Sequence, residues 1–359
     1  MKQTKNKSAN VLVTTAGTIV AQGIMKCLKL ANSKRPTKIS YRILSSDMSP
    51  EAVGLYRSRV GYLVPPFSSK DYVDSISKIC VDEHVTAVFL GADEELSIMS
   101  KNSERIKKES GAIVIANPSS VIESCTDKWK TFEFLKQNGF PCPEAALPEN
   151  ARKFLLDTGY PAIVKPREGH GSLHVRIVKN FEDAKDAIST IQKAGWRPMI
   201  QEYLSEEGAE FTTGITIDSK GRKIMSSITM RRSLKGGQTY RAFIEDNKYV
   251  RRTCEKVGLR LGSRGPLNIQ GRLSQDKLKI FEINPRFSAS CPMRAAAGVN
   301  EPDIVFRNFV RGEEIPPVDY ERWVCLRYWN EVYVPYHNYE ELKRHGRIED
   351  SSSQLKNYF

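Results

Sequence analysis

Short apolar runs alternate with helical patterns over residues 1–118 of the chain. An apolar run at residues 10–13 leads into a turn at Gly17 and then into a helix through Leu30. Three further runs read as strands, at residues 40–45, 86–90 and 112–116. Strands that alternate with helices form βαβ units, so this part predicts a parallel α/β sheet with ligand sites beyond the carboxyl ends of its strands.

Acidic side chains follow the predicted strand at residues 86–90. Asp93, Glu94 and Glu95 come just after it, at the edge where a parallel sheet binds its ligands. Two interpretations stay open, because carboxylates at this place can bind a substrate amine or can stabilise the N-terminus of the next helix. The turn at Gly17 lacks a complete G-x-G-x-x-G pattern, so the sequence does not favour a dinucleotide site.

A second strong pattern lies near the other end of the chain. The apolar runs at residues 265–272 and 278–284 predict a β-hairpin. Strict alternation along the second strand places Ile280, Glu282 and Asn284 on one face of the sheet.

The polar residues of this hairpin predict a metal site. Asn268 and Gln270 alternate with apolar neighbours on the first strand, and Glu282 faces them from the second. Amide and carboxylate oxygens of this kind bind Mg²⁺ when nucleotide phosphates supply the remaining ligands. Arg286, after the proline that ends the strand, presents a planar fork of donors suited to a phosphoryl group. The alternative is an ordinary hairpin with one solvated edge.

The central part of the chain carries a glycine loop after a short strand. Lys165 ends the strand, Pro166 enforces an extended backbone, and Gly169 and Gly171 follow. The backbone amides of such a loop can close over phosphates. It is not a Walker loop, because the lysine precedes the glycines.

A helix is predicted from its N-cap residue Asp127 to residue 136. Lys128 lies in its first turn, where a cation opposes the helix dipole and indicates an anionic neighbour. The alternative for this side chain is a solvated lysine.

Composition limits the classes of protein. Of the 359 residues, 40% are hydrophobic and 27% are charged, which are globular values, and no run reaches the ~18 apolar residues of a membrane span. The basic N-terminus lacks the cleavage site of a signal peptide. Seven cysteines without a C-x-x-C pair indicate reduced thiols in the cytoplasm. The net charge of +13 could indicate nucleic acid, but the Lys and Arg residues are spread along the chain instead of gathered in one tract, and small anionic substrates explain the charge equally well.

Taken in order, these motifs resemble those of the ATP-grasp superfamily, in the branch that is similar to the ATP-binding halves of the carbamoyl phosphate synthase large chain. The matching segments cover roughly residues 10–320 and run in the family's order: Asp127-Lys128, Val164-Lys165-Pro166 with its glycine loop, Gln201-Glu-Tyr-Leu204, Glu210, Asn268-x-Gln270 and Glu282-x-Asn-Pro-Arg286. Each motif alone is weakly specific, and their order makes the signal strong.

The resemblance implies a fold of the α/β and α+β classes. A parallel-sheet pre-ATP-grasp domain is expected at residues 1–118, and a two-lobed ATP-grasp domain with antiparallel sheets at 119–320, with a small lid lobe at about 159–205. Residues 321–359 lie outside the shared motifs. There we expect strands at 323–329 and 331–334 as a terminal hairpin, followed by a helix at 339–343.

The resemblance also assigns expected roles to residues of this chain. Lys128, Lys165, Gly169 and Gly171 would contact ATP phosphates, and Glu202, Tyr203 and Leu204 would meet the adenine. Glu210 would hold the ribose, with Asn268 beside the nucleotide. Gln270, Glu282 and Asn284 would bind Mg²⁺, with Mn²⁺ as the alternative ion. Arg286, Arg232 and Lys165 would act on the transferred phosphoryl group.

The implied activity is an ATP-dependent ligase that joins a carboxylate to an amine through an acyl phosphate. Arg231 and Arg232 are expected near the phosphates, and Arg294 is a candidate ligand of the substrate carboxylate. Asp93 and Glu94 would bind an ammonium group, so an amino-acid-like substrate is expected. The rival functions are a phosphotransferase and a non-catalytic nucleotide- or nucleic-acid-binding module. The pattern is compatible with a homodimer.

Overall fold

The structure is a computed structural model that describes residues 7–33, 39–169, 173–205 and 209–356. Its first unit is a sheet whose five N-terminal strands are parallel, in the order β3-β2-β1-β4-β5. These strands are β1 Lys7–Val13, β2 Ile39–Asp47, β3 Val60–Leu63, β4 Ala87–Phe89 and β5 Ile113–Ile115. The helices of this unit are α1 Ile19–Ser33, α2 Tyr72–Asp82, α3 Leu96–Lys101, α4 Ser103–Ser110 and α5 Ser119–Thr126.

The apolar run in β1 explains why this strand lies inside the sheet. Val11, Leu12 and Val13 are fully buried, and they contribute to cores on both faces. Continuous apolar strands of this kind are typical of parallel sheets covered by helices on both sides. The predicted parallel α/β domain is therefore confirmed.

The second unit is a small antiparallel sheet with its own core. Its strands are β6 Ala145–Ala146, β7 Ala162–Pro166, β8 Arg176–Val178 and β9 Pro198–Glu202, in the order β6-β9-β7-β8. The helices before and within this part are α6 Lys128–Gln137, α7 Ala151–Thr158 and α8 Phe181–Lys193. Asp127 caps α6 as predicted, because its carboxylate accepts hydrogen bonds from the backbone amides of Trp129 and Lys130.

The third unit is a larger antiparallel sheet in the order β14-β13-β10-β11-β12-β15. Its strands are β10 Glu210–Ile217, β11 Ile224–Lys235, β12 Gln238–Ile244, β13 Gly265–Ser274, β14 Lys277–Asn284 and β15 Val324–Leu326. The helices α9 Lys248–Arg260, α10 Cys291–Ala296 and α11 Glu301–Arg311 accompany it. The two antiparallel sheets confirm the predicted α+β character.

The C-terminal segment differs from its prediction. Its later elements are β16 Val332–Tyr333, α12 Tyr336–His345, β17 Arg347–Glu349 and β18 Gln354–Leu355. The helix is present, but the terminal hairpin is wrong, since β15 pairs with β12 and β16 pairs with β18. Strand β17 returns to the first sheet and pairs with β3. The segment therefore connects the first and third units.

No helix within the described ranges is long and apolar enough to cross a membrane.

Candidate functional site

A cleft of about 760 Å³ lies where the three units meet. The small sheet and the large sheet form two of its walls, and the carboxyl edge of the parallel sheet forms a third. Most of the residues selected from the sequence line it: Asp93, Glu94, Lys128, Lys165, Gly169, Glu202, Tyr203, Leu204, Glu210, Arg232, Asn268, Gln270, Glu282, Asn284 and Arg286. Gly171 lies outside the described residues.

The predicted hairpin is present, with a bulge that alternation does not reveal. Gln270 pairs with Glu282, but the next residue of β13, Gly271, pairs with Ile280. Phe281 is therefore an extra residue in β14. The expectation that Ile280 shares a face with Glu282 is wrong, because the bulge turns Ile280 into the core, where it is fully buried. Phe281 lines the cleft instead.

The oxygen atoms at this hairpin have the chemistry of a magnesium site. One carboxylate, Glu282, lies beside the amide side chains of Gln270 and Asn284 on the cleft wall. Among the residues the structure describes, no cluster of three or more His, Cys, Asp or Glu side chains is suited to a metal. The donor set therefore fits a hard cation that takes several of its ligands from nucleotide phosphates.

Arg232 joins two expected ligands on neighbouring strands. Its Nη2 donates to Oε1 of Gln270 at 2.6 Å, and its Nε donates to Oε1 of Glu210 at 3.0 Å. Glu210 also accepts a hydrogen bond from Nη2 of Arg272 at 2.6 Å. These contacts hold the carboxylate and the amide in fixed orientations at the cleft surface.

Arg231 does not share this position. Its Nε donates to Oε1 of Glu245 at 2.9 Å, and its guanidinium lies 4.1 Å from the ring centroid of Phe243. Successive side chains of a strand point to opposite faces, so only Arg232 of the pair reaches the cleft. The expectation that both arginines lie near the phosphates is wrong for Arg231.

Lys165 is a buried amine on the cleft wall. Its Nζ donates to Oε1 of Gln201 at 2.6 Å, and the side chain is 8% exposed. Burial lowers the pKa of Lys165 to about 7, and the charge of Lys128 acts in the same direction, whereas Glu282 opposes the shift. Nζ of Lys128 donates to the carbonyl oxygen of Gly169 at 2.6 Å.

The segment expected at the adenine forms the junction between the small and the large sheet. Glu202 ends β9, and its backbone amide donates to the carbonyl of Glu144 at 2.8 Å. Its side chain pairs with Lys279 of β14. Tyr203 and Leu204 continue along the cleft wall. The expected contact of Glu202, Tyr203 and Leu204 with the adenine remains a prediction.

The acidic trio separates into three environments. Asp93 forms a two-pronged ion pair with Arg286, with Nε–Oδ1 at 2.8 Å and Nη2–Oδ2 at 2.7 Å. Glu94 lines the cleft. Glu95 is fully buried and accepts hydrogen bonds from the hydroxyl of Thr14 at 2.8 Å and the backbone amide of Gly91 at 2.9 Å. Burial raises the pKa of Glu95, although these hydrogen bonds act against the shift.

The alternative role as a helix cap is not observed for Glu95. The carboxylate of Glu95, the residue before α3, makes no capping hydrogen bond to that helix. It stabilises the loop after β4 instead.

The expectation that Arg294 binds the substrate carboxylate is wrong. This side chain is 0% exposed and donates to Glu301, with Nη2–Oε2 at 3.1 Å, and to Oγ of Ser288 at 2.9 Å. The absence of a side chain at Gly214 makes room for the pair, since a Cβ there would lie 2.1 Å from Oε1 of Glu301. Arg294 therefore supports the cleft wall from behind and does not reach its surface.

Several cleft residues were missed by the sequence reasoning. The turn after β14 adds Ser288 and Ser290, the start of α1 adds Thr18, and the C-terminal segment adds Arg327. Nη1 of Arg327 donates to the carbonyl of Thr239 at 3.1 Å, and Nη2 donates to the carbonyl of Ala289 at 2.8 Å. A strand was predicted at residues 323–329, and β15 ends just before Arg327, but the sheet partner of this strand was not predicted, so nothing in the sequence placed this arginine at the cleft.

The cleft lies between two antiparallel sheets, with lysines on one wall and a carboxylate and amides on the other. This arrangement defines a class of proteins that bind a nucleotide between two lobes. Comparison with known families agrees. Residues 125–290 match the model of the ATP-grasp domain, and residues 11–115 match the model of the PylC-like N-terminal domain. The chain belongs to the ATP-grasp superfamily, whose members use ATP with Mg²⁺.

Individual relatives are distant. The chain is 27% identical over 242 residues to a carbamoyl-phosphate synthase of Methanobrevibacter smithii, covering 64% of this chain and 65% of the relative. It is 25% identical over 201 residues to the carbamoyl phosphate synthase large chain of Helicobacter pylori, covering 52% of this chain and only 18% of that one. A crystal structure of N5-carboxyaminoimidazole synthetase from Staphylococcus aureus complexed with ADP superposes with a TM-score of 0.68 at 15% identity, covering 98% of this chain and 95% of that chain. This last likeness shows the fold.

Proposed function

We propose that this chain is an ATP-dependent carboxylate–amine ligase that forms an amide or peptide bond through an acyl phosphate and releases ADP and phosphate. The observation that supports the proposal is the grouping of Lys165, Glu282 and Arg286 on one cleft whose edge also carries Glu94. Cations for phosphates, an oxygen site for a metal and a carboxylate for an amine are the groups that such a reaction requires.

The residues of the chain fit nucleotide and metal together. Lys128 and Lys165 bind phosphate oxygens, while Glu282, Asn284 and Gln270 hold Mg²⁺ on the opposite wall. The ion supplies charge neutralisation on the transferred phosphoryl group. Arg286 lies beside this set, where its guanidinium meets the oxygens of the γ-phosphoryl group.

The proposed reaction has two steps. A carboxylate oxygen of the substrate forms a bond to the γ-phosphorus as the bond to the β-phosphate oxygen breaks, which yields an acyl phosphate and ADP. The amine nitrogen then attacks the acyl carbon, the carbon–oxygen bond breaks, and phosphate leaves as the nitrogen loses a proton. In both steps the cleft cations stabilise the negative charge on oxygen.

The substrate we propose is amino-acid-like. Asp93 and Glu94 lie at the sheet edge that adjoins the phosphoryl end of the cleft, and Glu94 faces the cavity. Glu94 is the ligand that we propose for the ammonium group, because its carboxylate belongs to a residue that lines the cavity. Replacing Glu94 by Gln should raise the half-saturating concentration of the amino acid about tenfold or more, while that of ATP changes little.

Product analysis tests the proposal. The purified chain is incubated with Mg²⁺, ATP and each of the twenty amino acids, singly and in pairs, with ¹⁸O in the carboxylates. A ligase gives an amide, ADP and phosphate carrying one ¹⁸O, because the carboxylate oxygen stays on phosphorus. A phosphorylated acceptor with ADP would indicate the rival phosphotransferase, and no ADP with any amino acid would refute the amino-acid assignment.

A further inference from the structure

Arg327 differs from the other arginines on the cleft wall. Arg286 is paired with Asp93, and Arg232 and Arg272 are paired with Glu210. Within the described residues, no carboxylate lies within 4 Å of the guanidinium of Arg327. Its two hydrogen bonds go to backbone carbonyls, which orient the group and leave its charge uncompensated.

The surroundings make that charge costly without a ligand. Arg327 is half-buried, and burial lowers the pKa of its guanidinium. Burial lowers the pKa of Arg286 as well, but the charges of Asp93, Glu282 and Glu94 together outweigh it, so this pKa is raised. A half-buried cation that lines a cavity and lacks an acidic partner is a ready ligand for an anion.

The position of Arg327 separates it from the lysines of the nucleotide end. It contacts Ala289, in the turn that follows Arg286, and Ser288 and Ser290 of the same turn line the cleft beside it, with their hydroxyl oxygens 2.8 Å apart. Oγ of Ser288 is held by the buried Arg294, so this turn is a rigid wall. Strand β15 places Arg327 here by pairing with β12, Arg241 with Leu326.

From these contacts we infer that Arg327, beside the rigid turn of Ser288 and Ser290, anchors the carboxylate of the acceptor substrate next to the phosphoryl group that it attacks. The C-terminal segment thereby supplies a specificity-determining residue of the cleft. The inference rests on the proposed ligase function. The same chemistry would also suit a phosphate oxygen of ATP, and the two sources give different kinetic results.

Three variants test the inference in the full-length chain. Arg327→Met removes the charge, and Arg327→Lys keeps it without the two-pronged donor geometry. Arg322→Met is the matched control, an exposed arginine on the same segment. ADP formation is measured against MgATP and against the amino acid that stimulates the wild-type chain.

The expected result is selective. Arg327→Met raises the half-saturating concentration of the amino acid at least tenfold and that of MgATP less than twofold, Arg327→Lys gives an intermediate change, and Arg322→Met matches the wild type. If MgATP is affected as strongly as the amino acid, Arg327 binds phosphate and the inference is overturned. It is also overturned if neither substrate is affected.

A binding measurement separates this inference from the proposed function and from misfolding. Acetate labelled with ¹³C is titrated into the MgADP-loaded protein, and broadening of its carboxylate resonance is followed by NMR. Broadening with the wild type and Arg327→Lys, and its loss in a folded Arg327→Met, supports the anchor even if no amino acid is turned over. Equal broadening in Arg327→Met overturns it.

Discussion

Lys165 should take up a proton when nucleotide binds. In the ligand-free cleft its ammonium form is disfavoured by burial and by Lys128, which brings its pKa to about 7. Phosphates placed against Nζ favour the charged form and raise this pKa. The ligand-free amine therefore carries less than one proton near neutral pH, and the nucleotide complex carries a full one.

The magnitude follows from the pKa. At pH 8 an amine with a pKa of about 7 is roughly 10% protonated, so binding takes up about 0.9 proton, and at pH 6 it takes up about 0.1. Affinity for nucleotide is accordingly highest below pH 7. It falls by up to about tenfold, or ~1.4 kcal/mol, for each unit that the pH rises above 7.

Calorimetry in buffers of different ionisation enthalpy measures this uptake. The magnesium complex of a non-hydrolysable ATP analogue is titrated into the protein at pH 6 and pH 8, and the slope of observed enthalpy against buffer enthalpy gives the proton number. Lys165→Arg is the control, because arginine stays charged at both pH values. An uptake at pH 8 that is the same in the wild type and in Lys165→Arg would refute the reasoning.

Three further predictions concern the metal, the loop and the buried ion pair. Glu282→Gln should abolish Mg²⁺-dependent ADP formation with an unchanged circular dichroism spectrum, since it removes the one charge of the proposed oxygen ligands. The control Glu341→Gln, at an exposed position, should leave ADP formation unchanged. Normal turnover in Glu282→Gln would refute the metal assignment. Gly169→Val should raise the half-saturating ATP concentration and slow turnover together, because φ is +91° there, and unchanged kinetics would mean that the loop does not close over phosphates. Arg294→Met should lower the free energy of unfolding, measured in urea, by about 3–5 kcal/mol, because it leaves Glu301 buried without a partner. Adding Glu301→Leu should recover part of this loss. A change below about 1 kcal/mol in Arg294→Met would contradict this account of the ion pair.

Local sequence patterns were sufficient for much of this protein. The apolar run of β1, the cap at Asp127 and the hairpin of β13 and β14 each depend on residues close together in the chain. Side-chain periodicity and capping chemistry act over a few residues, so they can be read without the fold. The fixed order of the motifs added the superfamily, and with it the two-lobed architecture.

Only the tertiary structure decided which charged groups meet. Asp93 and Arg286 are 193 residues apart, and their pairing follows from the docking of the parallel sheet against the large sheet. Arg294 was expected at the surface of the cleft, but a glycine on β10 opens a buried space that holds it with Glu301. The sequence marks each of these residues as charged, and burial and partners depend on long-range packing.

The bulge at Phe281 and the position of Arg327 also depend on long-range packing and could not be predicted from the sequence. One extra residue in β14 reverses the face of Ile280, which strict alternation cannot indicate. Strand β15, which ends just before Arg327, was evident from its apolar residues, yet its pairing with β12 depends on the exposed edge that the large sheet offers. The sequence by itself therefore determined several strands and helices and many of the charged and amide residues of the cleft. The contacts between distant strands decided the neighbours of these residues, because those contacts depend on packing that no local pattern encodes.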